Sequence, residues 1–90
     1  MGKVSGMPDA GETGVEFLRT ELRTGLTMAR IALEAQSRKK VDRNRANARK
    51  AYDTALRFIA KTPLKEEEAE EIRGMITRLK LALGELGEKL

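Results

Sequence analysis

The sequence predicts an all-α protein, a three-helix antiparallel bundle with a disordered N-terminus. Three observations carry this. From Thr13 onward apolar residues recur at helical spacing, and nowhere do β-branched and polar residues alternate as in a strand. The two prolines, Pro8 and Pro63, fall outside the periodic stretches. Three stretches of similar length, about 30–37 Å each at 1.5 Å per residue, are joined by short connections, as an antiparallel bundle requires.

The first helix is expected over residues 13–37. At 100° per residue, Val15, Leu18, Leu22, Leu26, Ala29, Ala32 and Leu33 form one apolar stripe. Phe17, Met28, Ile31 and Ala35 form a second stripe beside it. The helix is therefore apolar over more than half its circumference. A peripheral bundle helix does not need that much, so the helix either lies between the other two or offers its second stripe to another chain. Gly25 falls on the main stripe, where it lets a facing helix approach closely.

The second helix is expected over residues 41–61. Its stripe is Val41, Ala48, Ala51, Tyr52, Ala55, Leu56, Phe58 and Ile59, with Asn44 inside it. The boundary before it is weakly marked, because Ser37-Arg38-Lys39-Lys40 contains neither Gly nor Pro. Asp42 or Asn44 are the candidate N-caps. A turn is expected there, since one rod of about 50 residues would leave the broad apolar face of the first helix unburied.

The break at Lys61-Thr62-Pro63-Leu64-Lys65 is stronger. Pro loses a helical hydrogen bond and holds the preceding residue out of the helical region. Two starts compete for the third helix: Thr62 as cap with Pro63 at the first position, or Lys65 with Glu68 three residues on. The third helix is expected over residues 65–86, with Ala69, Ile72, Met75, Ile76, Leu79, Ala82, Leu83 and Leu86 in a narrow stripe. Leu81 falls off it and is expected to be exposed. So does Gly74, which costs stability there unless something packs against it. Gly84 and Gly87 signal the end.

Ala48, Tyr52, Ala55 and Leu56, followed by Pro63, resemble the second helix of a tetratricopeptide-type repeat and its closing Pro. The likeness covers about 16 residues. It does not extend upstream to that family's first-helix pattern. It implies a peptide- or protein-binding helical module and names no ligand residue.

Composition excludes whole classes of chemistry. Without Cys there is no disulfide, thiolate nucleophile or thiolate zinc site, and without His no catalytic triad or histidine metal ligand. No Gly-rich phosphate loop occurs. The expectation is a chain that is not an enzyme and takes no cofactor or metal. The longest apolar run is Leu81-Ala82-Leu83, far short of the roughly 20 residues that cross a bilayer. Met1-Gly2 resembles a myristoylation start, but position 6 is Gly where Ser or Thr is required. A cytoplasmic location is expected. Residues 1–12, rich in Gly and small residues, are expected to be disordered, and residues 13–90 to form one domain.

The net charge of +4 is unevenly spread. Residues 1–37 carry −1, residues 38–61 carry +7 and residues 62–90 carry −2. Within the basic stretch Arg43, Lys50 and Arg57 are seven apart and share the back of the second helix. Arg38, Lys39, Lys40, Arg45 and Arg49 thicken its first half. Such a row suits phosphates, although cations at the end of the first helix would also offset its negative dipole end. The acidic run Glu66-Glu67-Glu68-Ala69-Glu70-Glu71 opens a helix, where each negative charge is favourable by about 0.3–1 kcal/mol.

The expected function is protein–protein interaction or assembly, with self-association or another helical protein as partner and Phe17, Met28, Ile31 and Ala35 as the contact. The alternative is a nucleic-acid-binding protein using Arg38, Lys39, Lys40, Arg43, Arg45, Arg49, Lys50 and Arg57. A membrane surface is not the expected partner.

Overall fold

The computed structural model describes residues 10–90, which form three helices and no strand: α1 (Ala10–Glu34), α2 (Arg38–Ile59) and α3 (Glu66–Glu85). The expectation for residues 1–9 lies outside the described residues. Residues 10–12 are helical rather than disordered.

The chain runs up, down and up, so α1 and α3 are parallel and both oppose α2. The α1–α2 turn is Ala35-Gln36-Ser37, and its cap is Ser37, not Asp42 or Asn44. Ser37 sits in extended backbone (φ −99°, ψ 136°) and its Oγ accepts the Lys40 N–H at 3.0 Å. Capping by a serine oxygen contributes about 1 kcal/mol. α2 consequently starts three residues earlier than the periodicity indicates, and Arg38, Lys39 and Lys40 form its first turn. They do not lie at the end of α1, whose last turn carries no basic residue. Asn44 instead donates from Nδ2 to the Lys40 carbonyl at 2.9 Å.

α2 closes at Ile59. Thr62 Oγ1 donates to the Phe58 carbonyl at 2.6 Å, so Thr62 finishes α2 rather than starting α3. α3 begins after Lys65, whose N–H donates to Glu68 Oε1 at 2.9 Å. At the other end Gly87 takes φ 93°, a left-handed value that a side chain would strain. Its N–H bonds the Gly84 carbonyl at 3.0 Å and the Glu88 N–H bonds the Leu83 carbonyl at 2.9 Å. These are the two bonds of a Schellman termination.

α1 is the central helix. It packs along both α2 and α3, which meet each other along a shorter seam. The main stripe of α1 is buried as expected at Val15, Leu18, Leu22, Ala29 and Ala32, while Leu26 is half-buried and Leu33 exposed. α2 contributes Ala48, Ala51, Tyr52 and Ala55, and α3 contributes Ile72, Met75, Leu79 and Leu83. Small residues on α2 let it approach α1 closely. At Gly25 a Cβ would stand 2.8 Å from Leu79 Cδ2 and 3.0 Å from Ala51 Cβ. Leu81 is 66% exposed, in agreement with its position off the stripe.

A Cβ at Gly74 would meet nothing within 4 Å. Gly74→Ala is therefore expected to stabilise the single chain by about 1 kcal/mol, the helix-propensity difference. In a domain of this size that raises the melting temperature by about 4–8 °C, read by circular dichroism. A lowered melting temperature would mean that something outside the chain packs on Gly74.

Candidate interaction surfaces

The second stripe of α1 divides between two environments. Phe17 packs on Phe58 of α2, with ring centroids 4.4 Å apart and planes at 35°. Phe58 remains 40% exposed, and Lys61 Nζ stands 6.0 Å from its ring centroid, at the outer reach of a cation–π contact. Met28 and Ile31, both half-buried, line an open groove of about 350 Å³. Its other walls are Thr20, Arg23, Thr24 and Thr27 of α1 and Asn44 at the start of α2. Ala35 lies one residue past α1, where its N–H reaches the Ala32 carbonyl at 3.4 Å. The structure thus brings Met28 and Ile31 together, pairs Phe17 with α2, and places Ala35 in the turn.

Sequence spacing did not single out the groove threonines, although the signal was present. Thr20, Thr24 and Thr27 lie in the same arc of α1 as the second stripe, at about 120–180° from Val15. They widen an apolar strip with methyl groups and carry no charge. Phe58 was assigned to the core of α2. It remains 40% exposed instead, near the C-terminal end of α2, where it packs on Phe17 of α1.

The basic stretch of α2 is sorted into two sets. Arg38 pairs with Asp42 at 3.4 Å. Arg45 and Arg49 face the C-terminal segment and hold it down. Arg45 Nη1 donates to the Leu86 carbonyl at 3.2 Å and its Nε stands 3.3 Å from Glu88 Oε2. Arg49 Nη1 donates to Glu88 Oε1 at 2.8 Å and to the Lys89 carbonyl at 3.2 Å, while its Nε engages Asp53 at 3.1 Å. The hydrogen bonds to Glu88, then to Asp53, raise the Arg49 pKa above its ordinary value. Glu88 reaches this position because Gly87 turns the chain. Two of the eight candidate anion contacts, Arg45 and Arg49, thus serve the packing of α3.

Lys39, Lys40, Arg43, Lys50 and Arg57 form the second set. All five are exposed, and none makes an ion pair among the described residues.

The acidic run at the start of α3 is also divided. Glu68 closes the cap at Lys65. Glu71 receives a forked pair of hydrogen bonds from Arg19, at 3.0 Å from Nε and 2.8 Å from Nη2. Hydrogen bonding to Arg19 holds the Glu71 carboxyl below the usual glutamate range, and Glu71 in turn raises the Arg19 pKa. The pair ties α1 to α3 across 52 positions of sequence, a separation to which no local spacing points. No group of three or more acidic side chains converges on a metal-sized site among the described residues. No helix among them is long and apolar enough to cross a membrane.

Comparison with protein-family models, with curated proteins and with solved structures finds no match to this chain.

Proposed function

We propose that this protein is a non-enzymatic assembly module that self-associates through the outer face of α1. The observation that carries the reading is the groove of Met28 and Ile31. It stays open on a helix whose other faces are already covered by α2 and α3. An apolar strip left open on a central helix has no further use inside the chain. The resemblance of residues 48–63 to a protein-binding repeat points the same way. Ala48, Tyr52 and Ala55 themselves are in the core, so docking falls to α1. A cysteine-free chain suits the reducing cytoplasm, where we place it.

A second copy fits the charges that rim the strip. Arg23 and Glu34 are exposed, lie on the same flank of α1 and form no ion pair among the described residues. In an antiparallel α1–α1 pair, like flanks face each other. A two-fold axis near Met28 sets Arg23 against Glu34 of the second copy, twice, and brings the two Met28–Ile31 strips together. A face one helix wide is smaller than the roughly 800 Å² per partner of a standard interface, so the dimer is micromolar or weaker.

Sedimentation from about 10 µM to about 1 mM, a range that brackets affinities of tens to hundreds of micromolar, tests this. Arg23→Glu is expected to weaken association about tenfold by placing like charges opposite each other. Arg23→Glu with Glu34→Arg is expected to restore it. A chain that stays monomeric throughout, or a double variant no better than the single one, would overturn the proposal.

A further inference from the structure

The second surface lies on α2. Taking Ala51 as 0° and 100° per residue, Lys39, Arg43, Lys50 and Arg57 fall within an arc of about 40°. That arc points almost directly away from Ala48, Ala51, Tyr52 and Ala55, which face the core. From Lys39 to Arg57 the four cations cover about 27 Å of helix at 1.5 Å per residue. The two carboxylates of α2 do not neutralise the row. Asp42 is engaged by Arg38 and Arg45, and Asp53 by Arg49. Among the described residues the row makes one side-chain hydrogen bond, a long one of 3.4 Å from Arg57 Nη2 to Thr54 Oγ1.

We infer that this row binds the sugar–phosphate backbone of nucleic acid, without base readout. What flanks the row decides among anionic partners. Its neighbours are Ala46, Asn47 and Thr54 together with the already paired Asp42 and Asp53, with no large apolar side chain among them. A protein interface needs an apolar centre, and a helix lying on a membrane needs an apolar wedge. A phosphate backbone needs neither. It asks for cations in sequence, with hydroxyl and amide donors beside them, which Thr54 and Asn47 supply. The row carries no aromatic platform, so nothing on it stacks bases or selects a sequence. Arg45 and Arg49 are excluded from the contact because Glu88 and the C-terminal carbonyls occupy them. This surface is separate from the α1 face and does not depend on self-association there.

Four phosphate contacts fix the salt dependence. Log K should fall with log salt at a slope of about −3 to −4, roughly a hundredfold in affinity between about 50 and about 200 mM salt. Two labelled duplexes of unrelated sequence, read by fluorescence anisotropy across that range, are expected to bind equally and with that slope. Lys50→Gln with Arg57→Gln should weaken binding and reduce the slope by about 2. All four substitutions together should abolish binding while the circular dichroism spectrum stays unchanged. Arg73→Gln with Lys80→Gln on α3 removes the same net charge from elsewhere and should change neither affinity nor slope by a comparable amount. Absence of binding at the lowest salt would overturn the inference. So would an equal loss from the α3 pair, which would reduce the effect to net charge. Binding to phosphatidylserine vesicles but not to either duplex would overturn it in favour of a membrane surface.

Discussion

Leu79→Ala is expected to destabilise the protein by about 3–4 kcal/mol, within the range measured for burying and then deleting a leucine. Leu79 has no solvent exposure and stands where all three helices meet, against Gly25 of α1 and within one cluster with Leu22, Ala48, Ile72, Met75 and Leu83. Its neighbours are held on three separate helices, so the cavity left behind does not collapse easily. A chain of this size has roughly 5–10 kcal/mol to lose, and helices of about 20 residues hold only weakly in isolation. The substitution therefore removes a third or more of the stability and moves the urea midpoint far to the left. Leu81→Ala, two residues further along α3 and 66% exposed, is the matched control. It is expected to stay within about 0.5 kcal/mol of the parent. Equal shifts for the two variants would show that α3 does not present the face assigned to it.

Leu79 and Leu81 also show what kind of information the sequence carries. Their opposite fates follow from helical periodicity alone, because a two-residue step turns the helix by about 200°. The stripe of α3, the main stripe of α1 and the break at Pro63 were legible for the same reason: each rests on residues a few positions apart. The α1–α2 turn was less legible. Ser37, Asp42 and Asn44 all carry capping side chains, with no Gly or Pro to choose among them. The choice fell to packing, since starting at Arg38 sets Ala48, Ala51, Tyr52 and Ala55 against α1. The shift of three residues then moved Arg38, Lys39 and Lys40 from the end of one helix to the start of the next.

Long-range pairs lay beyond reach altogether. Arg45 and Arg49 look like the rest of the basic stretch until Glu88, about 40 residues later, folds back on them; Gly87 hinted only that the chain would turn there. The candidate surfaces were thus half readable. Spacing placed Met28 with Ile31 and aligned Arg43, Lys50 and Arg57. It could not show that Phe17 is taken by Phe58, or that two of the arginines are taken by the C-terminal segment.

The close approach of α2 and α3 at Gly25 gives a sharp test of the packing. Gly25→Val is expected to cost about 3 kcal/mol, the upper part of the usual range for forcing extra atoms into a filled core. Two contacts oppose the new side chain, and they differ in how far they yield. Leu79 Cδ2, 2.8 Å from the position of a Cβ, is the end of a flexible side chain and moves aside by rotation. Ala51 Cβ, at 3.0 Å, is fixed to the α2 backbone and moves only if the helix does. The gain in helix propensity on replacing glycine, at most about 1 kcal/mol, works against this cost and is too small to cancel it. Leu79→Ala deletes the flexible one of the two obstacles and opens a cavity beside the new valine. The double variant Gly25→Val with Leu79→Ala should therefore be more stable than the sum of the single losses predicts, by about 1 kcal/mol or more. The rescue should stay incomplete, because Ala51 remains in place. Denaturation of the four proteins of the cycle measures the coupling directly. Strict additivity would mean that Gly25 and Leu79 do not meet, and that α1 and α3 pack in a different register.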